Sequence, residues 1–270
     1  MKLPPLAETV RRADPDRFLT TLFAPPPHRP GLWALYLFNH ELARAREVAA
    51  NPPLALIRLQ WWREALLGKD HGPEPLLALR ALLERGRLDV ADLDPLIEGR
   101  MREAEDGIPD VAAFLDFADL TSGALAAAAA RLLGADAFWR EQARRIGRAY
   151  GVAGLLRAVP YHAAQGRVLL PLRALAEAGV SGEEVIRAPH AAAVRGVVRD
   201  LAALGGAELA AALPPGRFPP PLRAAALLAV WARRDLARLQ QKGVSPRRPT
   251  DPLAVIAAAF GVLPRAGGGA

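Results

Sequence analysis

Leu32-Trp33-Ala34-Leu35-Tyr36-Leu37-Phe38-Asn39-His40-Glu41-Leu42-Ala43-Arg44 decides the fold, because so long an apolar stretch between proline breaks has to be helical. Pro25-Pro26-Pro27 and Pro30 stop any structure before it, and Asn51-Pro52-Pro53 stops it at the other end. The interval reads as one helix starting near Gly31. At about 100° per residue, Leu32, Tyr36, Asn39, Ala43 and Glu47 fall on a single stripe of that helix. Ile57-Arg58-Leu59-Gln60-Trp61-Trp62-Arg63-Glu64-Ala65 belongs to a second helix expected over 54–67, with Trp61 expected in the core.

Outward from this pair the chain keeps one rhythm of helix, short breaker, helix. Gly68, Gly72, Pro73 and Pro75 precede a segment over 76–85, and another centres on 96–105. An alanine-rich helix is expected over 114–133 and a further one over 138–156, in which Gly147, Gly151 and Gly154 share a face and permit close backbone approach. Gly166 opens a turn and a short extended piece ending at Pro171. A helix over 194–213 and a last one ending at Gly243 follow, separated by two proline clusters. The proline clusters are short and no repeat is visible, which predicts one all-α domain over 1–264 and a disordered tail over 265–270.

Composition agrees. With 51% hydrophobic residues in 270 there is ample material for a core, and 6% aromatics with abundant Ala, Leu and Arg favour helices over strands. No cysteine is present, which excludes disulfides, thiolate metal sites and cysteine nucleophiles. The start of the chain has no apolar segment behind Lys2, and the apolar run Ala124–Ala130 stops at Arg131, short of the roughly 18 to 20 residues of a membrane span. A cytoplasmic protein is expected, one that is soluble or peripheral to the inner membrane. The net charge of +7 is compatible with affinity for anionic lipid, diphosphate or nucleic acid, and equally with an arginine-rich coding bias.

A second stretch is Leu156-Arg157-Ala158-Val159-Pro160-Tyr161-His162-Ala163-Ala164-Gln165-Gly166-Arg167-Val168-Leu169-Leu170-Pro171. Together with Asp16-Arg17-Phe18-Leu19 and the two opening helices, it resembles the squalene/phytoene synthase superfamily. The resemblance implies a type I isoprenoid synthase-like helical fold around a central cavity. In that family the stripe of the first helix carries an Asp-x-x-x-Asp motif that holds Mg²⁺ against a prenyl diphosphate; here Ala43 and Glu47 fall at the two places. The second signature has an Arg-Asp-Val stretch, a Glu-Asp pair and a Gly-Arg-x-Tyr-Leu-Pro ending. Its acidic positions fall on Ala158, Tyr161 and His162, and Leu169 replaces the tyrosine. The family's aspartates are therefore missing from both motifs.

The skeleton without its acids is similar to a divergent, non-catalytic branch that helps assemble respiratory complex I. That resemblance implies complex I subunits or assembly proteins as partners, no catalytic residue, no metal site and no cofactor. The degenerate motif positions Asn39, Ala43, Glu47, Arg157, Ala158, Tyr161 and His162 are expected to line the cavity, which could hold an isoprenoid or other lipid. Arg44, Arg46, Arg157 and Arg167 either converge as an anion site at its mouth or form surface ion pairs. His162 reads either as a histidine satisfied by a hydrogen bond or as a ligand contact.

Two other functions stay open. An active Mg²⁺-dependent head-to-head prenyl transferase would need unaligned acids such as Glu41, Glu47 or Glu103. A basic module for anionic membrane or nucleic acid is permitted by composition, but no motif supports it and nucleic acid is not expected. Other carboxylates read as decoys: Gly107 and Pro109 interrupt Asp106 to Asp110, and Asp116 and Asp119 suit a solvated helix face. His28, His40, His71, His162 and His190 show no zinc spacing.

Overall fold

The structure, a computed structural model, describes residues 3–49, 51–68, 71–103, 107–213, 218–244 and 256. The expected tail over 265–270, the boundary at 264 and Asp106 lie outside the described residues. Among those described there is no strand; one isolated bridge joins Ile108 to Pro171. The helices are α1 (Pro5–Ala13), α2 (Pro15–Thr21), α3 (Arg29–Val48), α4 (Pro52–Leu67), α5 (Glu74–Glu84), α6 (Val90–Glu103), α7 (Val111–Ala118), α8 (Ala124–Leu132), α9 (Ala137–Arg157), α10 (Val159–Ala164), α11 (Leu172–Glu177), α12 (Gly182–Arg187), α13 (Ala192–Ala212), α14 (Arg223–Ala226) and α15 (Leu228–Lys242).

The breakers start the helices where elementary capping chemistry places them. Asn51 accepts a hydrogen bond from the Leu54 amide at 3.1 Å ahead of Pro52 and Pro53, and Asp14 does the same for Arg17 ahead of Pro15. Asp110 and Asp136 cap α7 and α9 through the Ala113 and Trp139 amides. Asp110 therefore serves as a helix cap.

The helix expected over 114–133 is interrupted. α7 and α8 are joined by a π-helical turn, Asp119–Gly123, where the wider winding accommodates the neighbours pressed against it. A Cβ on Gly147 would lie 2.5 Å from both the Ser122 carbonyl oxygen and the Ala126 Cβ, and one on Gly151 would lie 2.8 Å from the Ser122 Cβ. Close approach thus requires glycine at 147 and 151. It does not at Gly154, whose nearest contact would be 3.9 Å away. The segment Val111–Leu132, 22 residues with an 18-residue window of mean hydropathy 1.4, is long and apolar enough to cross a membrane, and 56% of that window is buried inside the fold. Packing against α6 and α9 accounts for that apolarity.

Buried side chains form two apolar clusters. The first joins α1 to α6 with α8 and includes Trp33, Phe38 and Trp62. The second joins α7, α9, α13 and α15 around Phe114, Ile146 and Trp231. Polar residues collect along the seam between them.

Candidate functional site: the seam between the two motif helices

α3 carries the first motif stripe, and the end of α9 with α10 carries the second. Asn39 and Ala43 are half-buried, Glu47 is exposed near the end of α3, and Arg157, Ala158 and His162 are half-buried around the α9–α10 junction. Pro160 at the second position of α10 suits a helix start, which lets the chain bend at Ala158 without losing a needed N–H. The two helices are bridged where Tyr161 donates to Glu47 Oε1 at 2.8 Å, and that bond holds the phenol above its ordinary pKa. Tyr161 is 51% exposed, so this bridge lies at the mouth of the seam.

Deeper in, α2 supplies a buried arginine. Arg17 donates to Asp14 at 2.7 Å and to the Ser122 hydroxyl at 3.0 Å, and its guanidinium lies 6.0 Å from the Tyr36 ring and 5.0 Å from the Tyr150 ring. Burial opposes its charge, but Asp14 and the two phenols more than offset this, and its pKa stays raised. Tyr36 is pushed up to about 12 by burial, and Tyr150 is raised chiefly by burial as well. Tyr150 donates to Asp16, which is fully buried, at 2.8 Å. Arg157 pairs with buried Asp235 from α15. Tyr36 belongs to the first apolar cluster and Tyr150 to the second, so Arg17 spans the seam.

A third group lies between α6 and the turn after α10. Glu103, with a side chain only 5% exposed, accepts from Arg100 at 2.7 Å and from Arg167 at 2.6 Å. Burial alone would raise its pKa; the two guanidiniums outweigh that and hold it below the ordinary carboxylate value. His162 sits against this cluster and 5.6 Å from the Tyr161 ring. Burial first, and Arg167 second, push its pKa down to about 4. The ring is therefore neutral at physiological pH. Its Nδ1 is buried with no hydrogen-bond partner in the protein, so the sequence-based picture of a hydrogen-bonded histidine fails at that atom.

These side chains do not fit the Mg²⁺ and diphosphate that the fold family implies. Mg²⁺ needs carboxylates free to ligate it. Glu47 instead accepts from a phenol, Glu103 is held by two cations, and Glu41 turns to the opposite side of α3, where it pairs with Arg58 at 3.1 Å and Arg44 at 3.5 Å. Among the described residues no three His, Cys, Asp or Glu side chains gather as a metal site. Of the four arginines offered as an anion site, three already have carboxylate partners. Arg44, Arg157 and Arg167 are each taken by a carboxylate, and the last two are internal rather than surface pairs; Arg46 is half-buried in the last turn of α3. Asp116 and Asp119 pair with Arg102 at 2.6 Å and Arg144 at 2.5 Å, outside the seam.

Sequence reasoning missed Tyr36, Tyr150, Arg100 and Asp235 as a set, and it gave Asp16 and Arg17 no role. The available signal was a charged pair, Asp16-Arg17, directly ahead of the apolar Phe18 and Leu19 in a short helix. Trp61 is a correction: it is 46% exposed, and Trp62, at 2%, is the buried indole, packed edge-on against Phe38.

A sequence-family model described as squalene/phytoene synthase matches residues 10–252 of this chain. Among curated proteins, the human "NADH dehydrogenase (ubiquinone) complex I, assembly factor 6" is 28% identical over 201 residues, covering 72% of this chain and 60% of that protein. The Bos taurus protein is 29% identical with the same coverage. The chain thus spans about three fifths of these relatives' length. A Drosophila melanogaster homolog of the factor is 27% identical over 250 residues, covering 86% of this chain and 73% of that protein. Of solved structures, squalene synthase HpnC from Alicyclobacillus acidocaldarius superposes with a TM-score of 0.72 at 18% identity, covering 90% of this chain and 94% of that one. A dehydrosqualene synthase superposes with a TM-score of 0.75 at 13% identity, covering 95% and 93%. At such identities the structural likeness is one of fold.

Proposed function

We propose that this chain, which belongs to the squalene/phytoene synthase family, carries out no prenyl transfer and acts as a scaffold in the assembly of respiratory complex I. The observation that carries this reading is the seam itself. Where opposed carboxylates would have to draw in Mg²⁺ and diphosphate, Ala43, Ala158 and His162 stand beside a Tyr161–Glu47 hydrogen bond and an Arg100–Glu103–Arg167 cluster that is already charge-compensated. A site of this kind has no acid, base or nucleophile in a productive pair. The names of the mammalian and fly relatives support the assembly role. Under this reading the protein needs no cofactor, meets complex I subunits or assembly proteins through its surface, and works in the cytoplasm or at the inner face of the membrane.

The test has two arms. Deleting the gene in the source organism should lower assembled, active NADH dehydrogenase, and normal levels would remove the assembly role. In the second arm, purified protein is titrated with Mg²⁺ plus a non-hydrolysable diphosphate analogue, then incubated with farnesyl or geranylgeranyl diphosphate. No heat of metal-dependent binding and no product are expected. Metal-dependent release of diphosphate would restore the rival reading, a prenyl transferase, which the likeness of fold keeps alive.

A further inference from the structure

The second motif runs into α10, a helix of six residues that closes its hydrogen bonds on itself. At its start Ala158 O accepts from the His162 amide at 2.9 Å. At its end the Gly166 amide donates to Ala163 O and the Arg167 amide to His162 O, both at 2.9 Å. That closing pair uses the left-handed backbone of Gly166, whose φ is +69°. Among the described residues, no backbone hydrogen bond ties 159–167 to an element other than α10. The helix can therefore shift as a unit without breaking one.

Apolar packing secures only one end of it. Val159, in the first turn, belongs to the second apolar cluster, whereas Ala163, though 4% exposed, belongs to neither. α10 rests chiefly on α12, which is itself only six residues long. Two side-chain bonds cross from this stretch to the seam helices, Tyr161 to Glu47 at 2.8 Å and Arg167 to Glu103 at 2.6 Å. The second lies beyond Gly166, so it fixes the far hinge and leaves the body of the helix to the first. One feature opposes closure: His162 Nδ1 is buried with no partner in the protein, and water would supply one. Sparse apolar anchorage and a single water-exposed tie mark a segment that opens separately from the core. We propose that α10 is a lid on the seam, turning about Ala158 and Gly166 between the latched position, where Tyr161 reaches Glu47, and an open one that brings His162 to water. The lid goes beyond the assembly role, and either can fail without the other.

The chain has no cysteine, so one introduced thiol reports without background. Ala163→Cys is made in the full-length protein and its reaction with an aromatic disulfide is timed under native conditions, with reagent dilute enough that the rate follows the opening equilibrium. Ala153→Cys, at a fully buried position in α9, gives the rate set by global unfolding. Labelling at 163 is expected to be about tenfold faster than at 153 or more. Tyr161→Phe or Glu47→Ala should speed it about 2- to 10-fold further, the factor that one solvent-exchanged hydrogen bond supports, and the two changes together should act no more strongly than one. Glu41→Ala, on the same helix but outside the latch, should leave the rate unchanged. Should Ala163→Cys lower the melting temperature, exchange of amides 161–164 against those of α9 in the unaltered chain reads the same opening. The lid is overturned if position 163 is labelled no faster than 153, if either Tyr161→Phe or Glu47→Ala leaves the rate unchanged, or if Glu41→Ala raises it as much.

Discussion

The two sides of α3 differ in how they meet water. Toward the seam, the chain has spent charged side chains on one another: Arg17 with Asp14, Arg157 with Asp235, and Glu103 between Arg100 and Arg167. Toward the groove bounded by α1, α3, α4 and α5 it leaves Leu54, Ile57 and Trp61 uncovered. In a helical fold that resembles synthases, the charges along the seam are therefore compensated internally, and open apolar surface lies on the other face. Buried pairs of this kind add little stability over an apolar filling, yet removing one partner is costly because the other charge stays buried.

The sharpest way to break that comparison is to remove the shared acid. Glu103→Ala leaves Arg100 and Arg167 repelling each other in a buried place, and urea unfolding should register a loss of about 3 to 5 kcal/mol. A loss no larger than that of a surface substitution would mean the cluster is solvated and the seam is open. Trp62→Ala should cost about 3 to 5 kcal/mol as a core cavity, whereas Trp61→Ala should cost under about 1 kcal/mol. Equal costs would erase the distinction between the buried wall and the open one.

The two tryptophans also mark where the sequence stops being legible. Ala55, Leu59, Trp62 and Leu66 make one apolar stripe on α4, and Leu54, Ile57 and Trp61 make another. Both have helical spacing, so periodicity cannot choose the inward one; only the neighbouring helices do. The helix ends were readable because Asn51, Asp136 and the prolines act within one turn. The missing acids were readable because the residues at the motif positions are known by identity alone. The charge pairs were not, since Arg157 and Asp235 are 78 positions apart and Arg17 and Ser122 are 105 apart. Spacing reveals which face a residue is on, but not which helix stands opposite. The π turn was hidden for a related reason: it lies where Gly147 and Gly151 of α9 press closely on Ser122, a contact that spacing does not reveal.

His162 gives the seam a pH signature. Its folded pKa of about 4 lies below its ordinary value of 6.5, so between these the unfolded chain binds the proton and the folded one does not. Stability must then rise with pH across that window, by about 3 kcal/mol from this residue, less whatever solvent reaches the ring. Glu103 acts in the same direction at lower pH: its stabilisation is present above the ordinary carboxylate pKa and is lost as pH falls through its depressed value. Unfolding measured from pH 7 to 4 should lose most of its slope in His162→Phe. An unchanged slope would show that the imidazole is already hydrated. At the close approach behind the seam, Gly147→Ala should cost about 1 to 3 kcal/mol, and Gly154→Ala, with open space beside it, should cost nothing and gain up to about 1 kcal/mol in helix propensity.

The smallest effect is expected at the mouth, where Tyr161 reaches Glu47. Both residues are exposed, and a hydrogen bond that trades with water is worth about 0.5 to 1.5 kcal/mol at most. Tyr161→Phe should fall at the low end, because Glu47 is rehydrated when the hydroxyl is gone. Its consequence for motion is more telling than its energy. The bond joins α10 to the end of α3, and among the described residues these helices make little other backbone approach. Amide exchange in α10 should therefore quicken in Tyr161→Phe while exchange in the middle of α3, held in the first apolar cluster, stays the same. If α10 keeps its protection, Glu103, Arg167 and His162 hold the mouth closed without the phenol, and the seam is sealed from within.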